Sequence, residues 1–153
     1  MNLMAAGDGR PRQHGFSLLE ILFALSIVSI FAVIAIPTYL DYMVRAEITE
    51  GFALAEPVKI TVTEYYETVG TWPDSNATAA LAAPSSFRTN YVDSISVAKN
   101  AAGFAITIVY RIPALGSNNT IVLTPSGVAG NTISWSCTQG TVADKFRPAA
   151  CKA

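Results

Sequence analysis

The sequence predicts an α+β fold: one long bent N-terminal helix packed on a four-stranded antiparallel sheet, with a C-terminal disulfide loop. Three observations carry this. An uncharged apolar run flows into an amphipathic stripe that ends near Val69. Four short alternating segments separated by turn residues fill the C-terminal half. The two cysteines, Cys137 and Cys151, sit together near the end.

Composition narrows the function classes first. Apolar residues make up 51% of the 153 positions and charged ones only 14%, against about 25% in an average chain. The formal net charge is −1, from ten basic and eleven acidic residues scattered along the chain. No basic run exists to neutralise phosphates, so DNA is a partner that the charge does not support. Two thiols cannot complete a zinc site without histidines, and the sole histidine is His14. No metal or cofactor is expected, and a single disulfide in an oxidising compartment is the better reading of the cysteines.

Residues 1–15 are polar and glycine-rich and carry Arg10, Arg12 and His14. Charge then almost vanishes: between Phe16 and Leu40 the one charged side chain is Glu20. Ile21 to Leu40 is enough to cross a bilayer core, which takes about twenty residues as a helix. Basic residues before this run and Asp41 just after it place the N-terminus on the cytoplasmic side. The remainder then lies outside, where a disulfide forms. An ordinary secretory signal is the rival, but the run is too long and Ile36-Pro37 offers no convincing cleavage site.

Beyond Asp41 the pattern becomes amphipathic. Val44, Ile48, Phe52, Ala55, Val58, Val62, Tyr66 and Val69 recur at steps of three or four, one helical stripe. Gly70 is a plausible C-cap, and Trp72-Pro73 prevents continuation. Pro37 and Pro57 each remove an i→i−4 hydrogen bond, so two bends are expected rather than two breaks. Residues 71–92 read as an irregular connection. Strands are expected at Ser94–Ala98, Phe104–Tyr110, Thr120–Thr124 and Asn131–Cys137. Turn chemistry at 99–103, 113–119 and 125–130 separates them. Short connections imply an antiparallel meander with one buried face, and the amphipathic helix half is its cover.

Glu20 is the most informative residue. An ionised carboxylate inside a bilayer costs about 3 kcal/mol on insertion scales and usually has a partner. The apolar run holds no Lys, Arg or His to serve. If the chain is cut between Gly15 and Phe16, the new Phe16 amine supplies a cation. Residues 16 and 20 are just over one helical turn apart, so pairing within the chain is strained by fraying and a neighbouring subunit's amine is an alternative. A Glu that merely snorkels to the interface remains the plainer reading.

Gly15-Phe16-Ser17-Leu18-Leu19-Glu20, the uncharged run and Ala35-Ile36-Pro37 resemble the class III signal of type IV pilins, most like a type IVa major pilin. The likeness continues through Tyr39, Tyr42, Arg45 and Pro57 to Tyr65-Tyr66 and Gly70-Thr71-Trp72-Pro73. It resumes at Trp135-Ser136-Cys137 and Pro148-Ala149-Ala150-Cys151. Leu19 stands where many members carry Ile or Val, a conservative departure. The resemblance implies cleavage after Gly15 by a prepilin peptidase, N-methylation of Phe16 and a role for Glu20 in subunit docking. It also implies that residues 1–15 are a leader, 16–42 a transmembrane and polymerisation helix, 43–69 its amphipathic half, and 70–153 a globular head with a loop at 137–151. That loop pins the C-terminal segment to the last strand; it is either a subunit-specific surface or a plain staple.

The implied role is structural: a precursor in the inner membrane, extracted into an extracellular helical homopolymer serving adhesion, twitching motility or DNA uptake. The implied partners are copies of itself, the prepilin peptidase, and an assembly platform with its motor ATPase, since nothing in the chain binds ATP. A minor or competence pilin, a type II secretion pseudopilin and a signal-anchored periplasmic binding domain are the rivals. An enzyme is not expected. Apart from His14 the chain has no histidine, and it shows no phosphate loop, no Ser–His–Asp set and no clustered carboxylates. The sequons Asn76-Ala77-Thr78 and Asn118-Asn119-Thr120 are weak signals.

Overall fold

One α-helix, α1, spans Leu18–Val69. The computed structural model describes residues 15–100, 103–127 and 132–152, with Asn100 by its backbone alone. Arg10, Arg12, His14 and the rest of residues 1–14 lie outside the described residues, as do the turn positions Ala101, Ala102, Gly130 and Asn131. The chain divides into two units, Met1–Pro37 and Thr38–Ala153. The helix runs through Pro37 and Pro57, so neither proline ends α1.

In the first unit α1 begins at Leu18, two residues later than the Phe16 start expected, and Ile21 N–H donates to the Ser17 carbonyl. Its large apolar side chains are exposed without exception, from Phe16 at 77% to Ile36 at 58%. The two serines inside the run turn their hydroxyls back on the helix. Ser26 Oγ donates to Phe23 O at 2.7 Å and Ser29 Oγ to Leu25 O at 2.8 Å. Each polar atom is thereby satisfied on its own helix, the condition for residing in lipid.

The second unit contains the core. Along α1, Val44, Ile48, Gly51, Ala55, Val58 and Val62 are buried. The stripe was expected to include Phe52, Tyr66 and Val69; the first two are half-buried and Val69 is 53% exposed. Gly51, not Phe52, occupies the centre of the contact. A side chain at 51 would strike the Tyr110 ring, so only glycine lets strand and helix approach there. At the end of α1, Gly70 adopts φ 81° and its N–H donates to Tyr66 O at 2.8 Å, the expected C-cap.

Four strands form one antiparallel sheet in sequence order: β1 Val92–Asn100, β2 Gly103–Tyr110, β3 Thr120–Ser126 and β4 Ser134–Gly140. Alternation sends Ile95, Val97, Phe104, Ile106, Ile108, Tyr110, Ile121 and Leu123 into the core. The fourth strand differs from expectation, starting at Ser134 and running on to Gly140. Its bounds follow pairing with β3, from Ser126↔Ser134 to Ile121↔Gly140, rather than its own apolar alternation. The connection expected over 71–92 is irregular up to residue 91, with a 3-10 turn at Pro84–Phe87, and Val92 already pairs with Tyr110 in β1.

Both sheet edges are closed by one planar polar side chain each. Asn76, only 4% exposed, donates to Ile95 O and accepts from Val97 N–H at 2.8 Å along the outer edge of β1. Its second amide hydrogen goes to Ala82 O. A buried amide with every hydrogen engaged is no glycan acceptor in the folded head, which removes the Asn76 sequon. Arg147 does the same for β4.

Candidate assembly surface and the disulfide-bounded loop

Gly15, Phe16 and Glu20 all lie on the exposed first unit. Glu20 is one carboxylate on a helix face otherwise built of Leu, Ile, Phe, Val and Ala. The ion pairs among the described residues join Lys59 to Glu56, Arg88 to Asp93, Lys145 to Asp41 and Arg147 to Asp144. None reaches Glu20. By length and composition α1 is also the one described helix able to cross a membrane. An apolar rod with an unpaired acid near its start has two fitting environments: lipid, or other rods that bring a cation.

The opposite end of the chain is built for rigidity. Cys137 and Cys151 form a disulfide with Cα atoms 4.7 Å apart and a sequence separation of 14. Closing a loop of that length restrains the unfolded chain by about 3 kcal/mol. Arg147, 5% exposed, fills the loop. Its guanidinium donates to Val142 O at 2.7 Å, to Thr138 O, and to Gly140 O at 3.0 Å, with Asp144 Oδ1 at 3.5 Å. The fork of five donors matches carbonyls presented by β4 and the turn after it, which a lysine cannot do. Val142 and Phe146 are the buried apolar feet of the loop.

The loop is tied to α1 at two points one helical turn apart. Arg45 Nε donates to Lys145 O at 2.7 Å, and Lys145 Nζ pairs with Asp41 at 3.2 Å. Lys145 also rests 4.4 Å above the Phe146 ring. Elsewhere Tyr110 locks sheet to helix. Its hydroxyl donates to Ile48 O at 2.9 Å, and burial pushes its phenol far above the ordinary range. A stack of Tyr66, Trp72 and Phe104, with centroids 4.2 and 4.7 Å apart, closes the core beside Trp135. Sequence reasoning found the cysteines, Trp72 and Trp135. It missed Gly51, Asn76 and the Asp41–Lys145 tie, whose partners are distant in sequence, and Arg147, whose carbonyls converge only once the loop is folded.

Residues 44–152 match the Pilin family, described as a bacterial filament protein, and residues 10–36 match the prokaryotic N-terminal methylation motif. The chain belongs to the pilin family. Its relatives include a fimbrial protein of Neisseria meningitidis serogroup B, 34% identical over 141 residues, which are 90% of this chain and 79% of the relative. Fimbrial protein EcpC of Eikenella corrodens is 34% identical over 92% of this chain and 91% of its own length. The type IV major pilin protein PilE of Neisseria gonorrhoeae is 44% identical over 85 residues, 56% of this chain and 51% of the relative. This pilin is a structural subunit of a type IV pilus. Its apolar helix anchors the precursor in a membrane before the subunit enters the filament.

Proposed function

We propose that this pilin is a major subunit whose precursor sits in the inner membrane with residues 1–15 cytoplasmic and the head outside. Cleavage between Gly15 and Phe16 by a prepilin peptidase frees the Phe16 amine, which is then methylated. Segment 16–42 bundles with the same segment of other copies, and Glu20 pairs with a neighbour's Phe16 amine. Pro37 and Pro57, each lacking an i→i−4 bond, are where α1 bends. An assembly platform and a motor ATPase supply the work of extraction.

The observation that supports this reading is the unbroken exposure of large apolar side chains from Phe16 to Met43 around one acid that has no ion pair among the described residues. Lipid satisfies the apolar part alone. A bundle of identical helices satisfies both parts, because each copy brings an acid and an amine. Unlike contacts that do not close into a ring propagate as an open helix.

N-terminal mass analysis of sheared surface filaments tests the processing step. The expected terminus is N-methyl-Phe16. Assembled material that begins at Met1 overturns the cleavage claim and, with it, the source of the cation.

A further inference from the structure

We propose that the disulfide-bounded loop touches the membrane in the precursor: Lys145 of the loop and Arg45 of α1 together hold the phosphodiester of a phospholipid headgroup. This rests on the reading that residues 21–40 cross the bilayer, and on nothing about the filament. Depth follows from the helix. The polar headgroup region beyond the hydrocarbon core is about 5–7 Å thick on each side. Residues 41–45, next after the apolar run, climb about 6 Å along α1 when it stands upright and less when it is inclined. They therefore lie among the headgroups. The loop goes with them, because Lys145 Nζ is 3.2 Å from Asp41 Oδ1 and Arg45 Nε donates to Lys145 O at 2.7 Å. A segment 100 positions away in sequence is thereby pinned at the depth where the apolar run ends.

Three features select a phospholipid headgroup as the occupant, besides continuity with the membrane-crossing helix. Tyr39 and Tyr42 are exposed on α1 at this level, and tyrosine concentrates where its ring meets lipid and its hydroxyl meets the headgroups. Donors are also left over. Arg45 is exposed and spends Nε on the loop, and its Nη groups have no partner among the described residues. Lys145 Nζ faces Asp41 Oδ1 and Oδ2 at 3.2 and 3.4 Å, which leaves at least one of its three N–H donors. The two bases are neighbours across the tie, so one phosphodiester, with two unesterified oxygens, accepts from both. Finally, Asp41 and Asp144 offset the two bases. The patch therefore has no excess charge with which to recruit an anionic surface from a distance. It suits a phosphate that the anchoring helix has already brought alongside, that of a zwitterionic lipid included.

The test compares the full chain in dodecyl maltoside micelles, which hold no phosphate, with the full chain in phosphatidylcholine nanodiscs. Urea unfolding followed by Trp72 and Trp135 fluorescence gives the midpoint in each. A headgroup bound only by the folded head raises the midpoint in the nanodisc. The expected result is a rise for the wild type, its loss in Arg45→Gln and in Lys145→Gln, and its retention in Lys145→Arg. Each variant is compared with itself, so a weaker tie between loop and helix cancels. Headgroup-nitroxide lipid in the nanodisc is expected to broaden the amide resonances of Tyr42, Lys145 and Phe146. Gly70, roughly 38 Å further along α1 than Arg45, stays sharp. No rise for the wild type, or an equal rise in all four proteins, overturns the proposal, as does a sharp Lys145 beside a broadened Tyr42. A rise that needs phosphatidylglycerol in place of phosphatidylcholine also overturns it, since that outcome is attraction to a charged surface. A chain that does not enter nanodiscs, or whose amides at residues 25–33 ignore an acyl-chain nitroxide, would instead remove the spanning reading beneath it.

Discussion

The two units of this chain solve opposite problems. Among the described residues of Thr38–Ala153 each buried side-chain polar group has a partner, down to the guanidinium of Arg147 on three carbonyls. In the described part of Met1–Pro37 the side chains are almost all exposed, and the carboxylate of Glu20 is left without an ion pair. A sequence that completes its core in one region and leaves the other open has divided folding from assembly. Stability belongs to the head; the partner of the first unit is external. Mutations are therefore expected to sort by unit: those in the head change its unfolding and leave membrane insertion, proposed to rest on the apolar run, unaltered.

The largest effect expected in the head is from Arg147→Ala. It strips a charged donor from three carbonyls and opens the edge of β4, at a cost of about 4 kcal/mol. Urea unfolding of the detergent-solubilised full chain, followed by Trp72 and Trp135 fluorescence, measures it. An unchanged midpoint would mean that water replaces the fork without loss. Replacing both Cys137 and Cys151 by serine comes next, at about 3 kcal/mol. The native filament is expected to resist thiol labelling without reductant, and full labelling would remove the bridge.

Gly51→Ala follows, at about 2 kcal/mol, because the new Cβ meets the Tyr110 ring. Adding Tyr110→Phe removes the nearest atom, Oη, so the double variant is expected to lose less than the sum of the single changes. Additive losses would show that the two residues do not share that contact. Alone, Tyr110→Phe forfeits the bond to Ile48 O, about 1 kcal/mol. It also changes the alkaline limit. Burial raises the folded phenol above its ordinary 10.0, so above that pH the unfolded chain releases a proton that the folded chain retains. Stability from this group is complete below pH 10.0 and is lost as pH rises beyond it; the phenylalanine variant lacks that slope. Lys145→Ala is the smallest change, below about 1 kcal/mol, because its pair with Asp41 is solvent-exposed.

What was legible in the sequence follows the same division. Periods of 3.6 and 2 are local, so α1, its Gly70 cap and the alternating strands could be read directly. The start of β4 could not, because β3 sets it. Gly51 gave no signal, since its reason is Tyr110, fifty-nine positions away. Asn76 looked like a sequon and is instead a substitute for a missing strand. Arg147 carries no motif; only the folded loop shows the carbonyls it collects. At Glu20 the logic reverses: a charge in an apolar run is conspicuous because nothing nearby explains it.

That carboxylate offers the most direct test. Glu20→Ala eases insertion of the isolated helix by removing an acid that costs about 3 kcal/mol in the bilayer. In the filament it leaves a neighbour's Phe16 ammonium without its anion, where an uncompensated buried charge costs several kcal/mol, on the order of 3–5. Cells expressing the variant are fractionated, and membrane-bound subunit and sheared filament are quantified separately. Undiminished or increased membrane-bound subunit together with a loss of filament is the expected result. Wild-type filament yield from Glu20→Ala would contradict the pairing and leave Glu20 as an interfacial residue that snorkels to the membrane surface.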